Sequence, residues 1–559
     1  VSGRSSPKRL LALIALTAIG CGSEATALPG ATAAPVEASP PTSAPLPAPE
    51  PPSAPPPDVR LMAIGPYTAD AGRDCDGRPT LALTTMPGLC IGLVITSEHP
   101  SIAATGGRFR PRTIVEDPHQ DGVFWVVDAG ARRARAGRLF RLDTRGEVTI
   151  ERVVDRLDRP HGSAIGPDGW LYVGEVQRIV RFDPAASDVA ASRQVVVDDL
   201  PTELEDHSRL RFHPLTAFVF APNFDLIVNM GSATDHCEES QRLDRCHDED
   251  DHTAAIWTFA HELTDGAHTW SSEPTYLAQG LRNSVALAAH PSGTVLQGEN
   301  ASDFSSPDLP HEELNVIEAG RHYGWPYCYD EHGRDPHWTH ASFACDASNP
   351  IYAPPHLLLP AHGAPLGMLY AERGPEALRG HLLIALHGYR ALGHRILALP
   401  VDAAGIPARD AEPFEVVSGW DASETGPRGA PVGLTIARDG SIWMVEDSNG
   451  TVLRIAVDVY ASARASHEES AAPSAIADPT FATLHRDVLR ARCAHCHELL
   501  AQDPALALGA ITREGWLREE NGSTHLWERV RAGAPQRMPL DGTLSAAETE
   551  ALRQWLAQR

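Results

Sequence analysis

The sequence predicts a mainly β chain, a six-bladed β-propeller followed by a small all-α domain. Three observations carry this reading. One strand–turn–strand pattern recurs six times across the middle of the chain. A Pro/Ala/Ser stretch separates that body from the N-terminal residues, and a second polar linker separates it from a tail of helical periodicity. Hydrophobic residues make up 42% of the 559, enough for sizeable cores, which excludes global disorder. The balance of 47 Lys and Arg against 73 Asp and Glu gives a net charge of −26. That charge argues against nucleic acid or an anionic membrane surface as the main partner.

Residues 1–21 read as an export signal. Arg4, Lys8 and Arg9 precede the apolar run Leu10–Gly20, which is too short and wrongly flanked for a membrane span. Ala18-Ile19-Gly20-Cys21 resembles a bacterial lipobox, so Cys21 is the expected lipid-bearing residue. The expected location is then periplasmic, anchored to a bacterial membrane, the outer one by preference. An ordinary cleaved signal with a chance cysteine is the alternative. Residues 22–58 hold 12 of the 47 prolines and cannot bury enough apolar surface to offset their ordering entropy. They read as an extended tether.

Residues 59–460 hold the repeated pattern. Copies begin near Pro111, Pro160, Pro214, Arg282, Pro365 and Pro431. PHGSAIGPDGWLYVGEVQRIVRF and PVGLTIARDGSIWMVEDSNGTVLRI show it clearly: an alternating strand, an Asp-Gly turn, then a Leu/Ile/Val/Trp-rich strand. Six copies spaced at long, recurring intervals favour propeller blades over a pair of sandwiches or a solenoid. In a propeller the loops converging on the channel carry the chemistry. The acidic run Asp248–Asp251 could offer oxygen ligands to calcium, but it lacks the alternating spacing of a calcium loop and reads better as a solvated loop. VEDSNG (Val445–Gly450) reads as a turn.

Residues 461–480 form the second linker, and residues 481–559 the tail. Cys493-Ala494-His495-Cys496-His497 is a CxxCH motif, the attachment signature of haem c. Two thiols on one helical turn can bond the haem vinyls, and His497 then reaches the iron. Met538, in RMPL, supplies the thioether expected as the second ligand, which raises the reduction potential. A thioredoxin-like pair would need a βαβ pattern that the tail lacks, and a zinc half-site would lack its other half. FATLHRDVLRARC reads as a first helix, and ETEALRQWLAQR as a last one, with Ser545 and Glu548 as its capping box. The segment resembles small bacterial c-type cytochrome domains.

The nine cysteines then divide as one lipid site, two haem attachments and six others. The six fall into close sequential pairs: Cys75/Cys90, Cys237/Cys246 and Cys328/Cys345. An oxidising periplasm permits such bonds.

GLRNSVALAAHPSGTVLQGEN (Gly280–Asn300) and DLPHEELNVIEAGRHYGWPYC (Asp308–Cys328) are similar to the glucose/sorbosone dehydrogenase family. HPLTAFVFAPNFDLIVNMGS (His213–Ser232), AHGAPLGMLY and GAPVGLTIARDGSIWMVED extend the resemblance over roughly residues 100–456. It implies a six-bladed propeller that uses pyrroloquinoline quinone, PQQ, often with Ca2+. It also implies a base at His213, heading the strand before the Gly-Ser turn, and a cofactor-binding pair at Arg282 and Asn283. His362, Arg390 and Arg395 fall where the family places further channel-lining groups, and His161 sits at a channel-facing loop position. Thr216 stands where relatives often carry Arg, DEDDHTAAIW where they carry a basic pair, and HGYRA (His387–Ala391) where many have Gly-Ser-Trp-Asn-Arg.

Together these readings imply an exported dehydrogenase. It would oxidise an aldose sugar or alcohol and pass electrons through its own haem to an acceptor such as a soluble cytochrome or an oxidase. The alternative from another class is a non-catalytic ligand-binding or electron-transfer propeller that has lost the quinone. A calcium-dependent lactonase-type propeller is a third reading, and it gives the haem tail no purpose.

Overall fold

In the computed structural model the described residues are 61–130, 134–201, 212–388, 393–420, 429–458, 479–490, 500, 504–513, 516–517, 519–520, 523–530 and 546–557. Lipobox, tether, CxxCH motif and Met538 lie outside them.

The architecture is mainly β and propeller-like. Six sheets of four to seven strands occupy the body. Each opens with an inner strand: Pro111–Glu116, Ser163–Ile165, Phe218–Phe220, Ala286–Ala289, Pro365–Tyr370 and Pro431–Ile436. Every inner strand packs against the next, and the last packs against the first, so the six close a ring. The six repeat openings in the sequence lead into these six strands.

The Leu/Ile/Val/Trp-rich runs expected after the turns form the second strands of the meanders. VFWVVD, LYVGE, LIVNM, VLQGE and IWMVE are buried along their whole length. Packing on both faces is the cause. Phe124 and Val126 join Trp443 and Val445 on one side, while Trp125 and Val127 join Leu171 and Val173 on the other. A strand covered on both faces is mostly apolar, and its few polar side chains need partners inside the fold, as Gln297 Nε2 finds Ser284 Oγ at 2.9 Å.

The two ends of the propeller body complete each other's sheets. Leu89–Thr96 pairs antiparallel with Thr451–Val457, from Thr451 opposite Thr96 to Val457 opposite Leu89. Thr84–Thr85 adds an outer strand to Phe414–Ser418 of the preceding sheet. Ring closure demands close backbone approach at the inner strands. A Cβ on Gly367 would lie 2.1 Å from Val432 O, and one on Gly433 would lie 2.6 Å from Arg112 O. Glycine is required there by contact rather than by dihedral freedom.

All three expected disulfides form: Cys75–Cys90, Cys237–Cys246 and Cys328–Cys345. The last two staple the long insertions 231–254 and 317–356. These insertions share one core of Trp325, Tyr327, Trp338 and the four cysteines. The acidic run divides: Asp250 and Asp251 are exposed, as a solvated loop requires, while Asp248 is buried and structural. Its first three residues lie in the short helix His247–Asp250, where Asp248 is 3% exposed and accepts a bond from Ala233 N. A buried carboxylate needs such donors.

In the tail, the described helical segments are Pro479–Leu484, His485–Leu489, Pro504–Arg513, His525–Val530 and Ala546–Ala557. Phe481, Leu489, Leu500, Ile511, Leu552 and Trp555 form a core among them. The first and last helices therefore appear where periodicity put them.

Candidate functional site

The segments that lead into the inner strands are held by a recurring device. The second strand of four sheets ends in a buried carboxylate, Asp128, Glu175, Glu299 or Glu446. Each accepts a backbone N–H from the segment feeding its own inner strand: Arg110 N at 2.6 Å, Asp158 N at 2.7 Å, Asn283 N at 3.1 Å and Ala430 N at 3.1 Å. The start of strand one and the end of strand two share one edge of an antiparallel sheet, so the bond fixes that edge. The side chains those segments carry thus gather on one rim of the ring.

Polar contacts link all six sheets around this rim. Thr113 Oγ1 donates to His161 O, Gly162 N to Thr216 O, and Ser232 N to Arg282 O. Asn300 Nδ2 donates to Pro365 O at 2.9 Å, His387 Nε2 to Asp447 Oδ1 at 2.8 Å, and Arg112 to Asp447 Oδ2 at 2.5 Å. His161, His213, Arg282, Asn283 and His362 belong to this rim by their places in the chain.

His213 is the best-defined group among them. Ser232 Oγ donates its single proton to Thr234 O at 2.6 Å. It must therefore accept from His213 Nδ1, which lies 2.7 Å away. The imidazole is held in the Nδ1–H form, leaving the Nε2 lone pair as its basic position. Burial, then the positive charge of Arg282, pushes the His213 pKa well below the ordinary imidazole value. The ring is thus neutral and basic at one known atom.

Arg282, 4% exposed, is already engaged. It donates from Nε and NH2 to Asp235 Oδ1 at 2.9 and 2.6 Å, and from NH1 to Asn300 O at 2.8 Å. Beside it, the side-chain Oδ1 of Asn283 is buried and makes no hydrogen bond. Such an orphan fits a ligand donor.

His161 is held in the opposite form. Its Nδ1 accepts from Arg112 Nε at 3.0 Å, and burial followed by the Arg112 charge pushes its pKa well below the usual value. Burial alone would raise Asp447, but Arg112 and His387 overcome it and hold the carboxyl below its usual range. This Arg112–His161–Asp447–His387 group was missed in the sequence except for His161. The signal was there: Arg112 occupies the opening of the first repeat, as His161 and Arg282 occupy later ones.

His362 donates Nε2–H to Ser306 O at 2.8 Å. Arg395 pairs with Glu415 on the neighbouring strand and donates to Gly393 O at 3.1 Å. Arg390 lies outside the described residues. Three further carboxyls went unread in the sequence. Burial raises Glu299 to about 7, Glu312 to about 8, and Glu313 well above its usual value.

A family model described as TrAA12-like matches residues 101–458. No curated protein matches the chain. Among solved structures, the iodide structure of the Trichoderma reesei carbohydrate-active enzyme family AA12 is 21% identical, with a TM-score of 0.52, over 67% of this chain and 98% of that one. The calcium structure of the same T. reesei protein is 20% identical, with a TM-score of 0.52, over 67% and 97%. The holo form of the pyranose dehydrogenase PQQ domain from Coprinopsis cinerea is 20% identical, with a TM-score of 0.51, over 68% and 99%. At these identities the likeness is one of fold.

Proposed function

The chain belongs to the TrAA12-like family, and from that membership we propose that it is an exported quinoprotein-type dehydrogenase. Its six sheets act as the blades of a propeller, and its substrate is an aldose sugar or an alcohol. The relatives named as a pyranose dehydrogenase and as a carbohydrate-active enzyme support the substrate class. The observation that carries the reading is His213, neutral, with its tautomer imposed by Ser232 and its Nε2 unbonded among the described residues.

The rim residues suit an anionic, carbonyl-rich cofactor. Arg282 and Arg112 bring guanidiniums to it, while the orphaned Asn283 Oδ1 would accept from an N–H or O–H of the cofactor or substrate. PQQ, when bound, supplies the two-electron acceptor. His213 Nε2 would take the proton of the substrate hydroxyl as the carbinol carbon gives up its hydrogen together with the bonding electron pair. Ser232 keeps the ring oriented through that transfer, and Arg282 disfavours protonation of the free base. The acidic run offers no calcium cage, because Asp248 is spent on Ala233 N and Thr253. Calcium bound with the cofactor would have to find its ligands elsewhere.

The tail is proposed to hold haem c through Cys493 and Cys496, with His497 and Met538 as iron ligands, and to deliver electrons to a soluble cytochrome or an oxidase. Its support is the CxxCH motif. Lipidation at Cys21 and the tether would keep the body at a periplasmic membrane face, which rests on the lipobox alone.

The test is full-length protein made in a quinone-producing host with haem-maturation machinery. Aldoses should bleach a dye and reduce the protein's own haem. His213→Ala should lower the dye rate by roughly 10²–10⁴-fold, and His497→Ala should abolish haem reduction while sparing the dye reaction. If no sugar or alcohol reduces dye or haem, the proposal fails.

A second reading, a propeller that has lost the quinone, has its own observation. Arg112 and Arg282 are each matched by a carboxylate, Asp447 and Asp235, and the buried Thr216 replaces a cation. Equilibrium titration with PQQ separates the two: no saturable binding, with no effect of His213→Ala, selects this one.

A further inference from the structure

The disulfide-stapled insertions 231–254 and 317–356 bring two histidines and a carboxylate to one point. His236, Asp335 and His337 each offer a ligand atom, and the three atoms lie within 4.8 Å of one another. His236 is 8% exposed and Asp335 2%. The buried His236 Nδ1 makes no hydrogen bond, yet it faces Asp335 Oδ2 at 3.5 Å. Asp335 Oδ1 already accepts from His337 Nδ1 at 2.9 Å, but His236 Nδ1 and Asp335 Oδ2 stand in ion-pair range without hydrogen-bond geometry, a poorly satisfied pairing in a dry place. A cation between them satisfies both.

The donors are pre-positioned. Asp335 caps the turn Pro336–Trp338, accepting from His337 N at 2.7 Å. Trp338 Nε1 donates to His236 O at 2.9 Å, tying the two insertions together beside the donors. Cys237, the next residue after His236, is bonded to Cys246. On its other side, His236 Nε2 faces Asp235 Oδ2 at 3.3 Å. A carboxylate behind a ligating imidazole is the usual outer partner of a metal-bound histidine. Asp235 also holds Arg282, so the cluster is one residue from the rim.

We propose that His236, Asp335 and His337 bind a divalent first-row transition-metal cation, with Asp235 as the carboxylate behind His236. Two imidazoles and one carboxylate suit the zinc class rather than calcium or magnesium, which demand oxygen. The partly exposed His337 gives the ion access and leaves room for water at an open position. The site does not depend on the quinone.

Chelator-stripped full-length protein should be titrated with Zn2+ by calorimetry, and with Co2+ by visible absorption. The wild type should take up a zinc ion that His337→Ala and Asp335→Asn lose or bind at least about tenfold more weakly. The cobalt d–d band should disappear in His337→Ala, and excess Ca2+ should not compete. Equal zinc uptake and affinity in the wild type and His337→Ala overturns the proposal, as does displacement by calcium. His337 is exposed, so that variant decides the matter even where Asp335→Asn does not fold.

Discussion

A serine hydroxyl has one proton, and Ser232 gives its own to a carbonyl, which can only accept. That local necessity assigns the His213 tautomer without any ligand in place. It also fixes a pH dependence. Because burial and Arg282 lower the His213 pKa, the base stays unprotonated as pH falls past the ordinary imidazole value near 6.5. The acidic limb of kcat/KM for sugar oxidation should therefore lie below pH 6.5, and a limb at or above that value would contradict the assignment. The buried glutamates titrate the other way. Folding raises Glu312 to about 8 and Glu299 to about 7, so the folded chain keeps protons that the unfolded chain releases above about pH 4.5. Their stabilisation is full below that pH and is lost as pH rises through 7 and 8. Glu313 is raised likewise by burial and its carboxylate neighbours. The denaturation midpoint should fall between pH 6 and 9, and less steeply in Glu313→Gln, which cannot ionise; equal slopes would refute this.

Among the elements, the inner strands show why sequence and packing agree. Pro or Arg opens each repeat, and a small residue follows where the neighbouring backbone passes. Gly367 is the tightest case, against Val432 O. Gly367→Ala should cost about 1–3 kcal/mol through overpacking, read as a lowered denaturation midpoint. Gly146→Ala, in open space, should change little by the same measure. The repeats, their turns, the three cysteine pairs and the first and last tail helices were legible because each is written in local spacing. So, in part, was the carboxylate device: VVD, VGE, QGE and VED recur at the ends of the second strands. What those carboxylates accept was not legible, since the acceptor's partner lies across a turn of variable length. Full burial of the second strands was not legible, because it depends on the sheets that cover them on both faces.

At the scale of the whole molecule, the ring depends on pairing between Leu89–Thr96 and Thr451–Val457, the two ends of the propeller body. Closure of this kind makes the sheets one cooperative unit, since no sheet can leave without opening the ring. The Cys75–Cys90 bond braces that closing sheet, and its loop separation of 15 residues stabilises by roughly 3 kcal/mol in the chain-entropy model. The double variant Cys75→Ser/Cys90→Ser should lose about that much in chemical denaturation, with the propeller still unfolding in a single transition. A separate early transition confined to the closing sheet would show that the ends are not coupled to the ring. By itself the sequence determined the β-rich repeat class, its number of openings, the disulfide pairs, and the residue types that head each repeat, because these reside in alternation, turn chemistry and spacing along the chain. Only the tertiary structure decided which of those residues act together. Arg112 meets Asp447 from the far end of the chain, Asp235 claims Arg282, and His236 meets Asp335 across two insertions. Such pairings follow from closing a ring in space, where neighbours are set by the curvature of the sheets rather than by distance along the backbone.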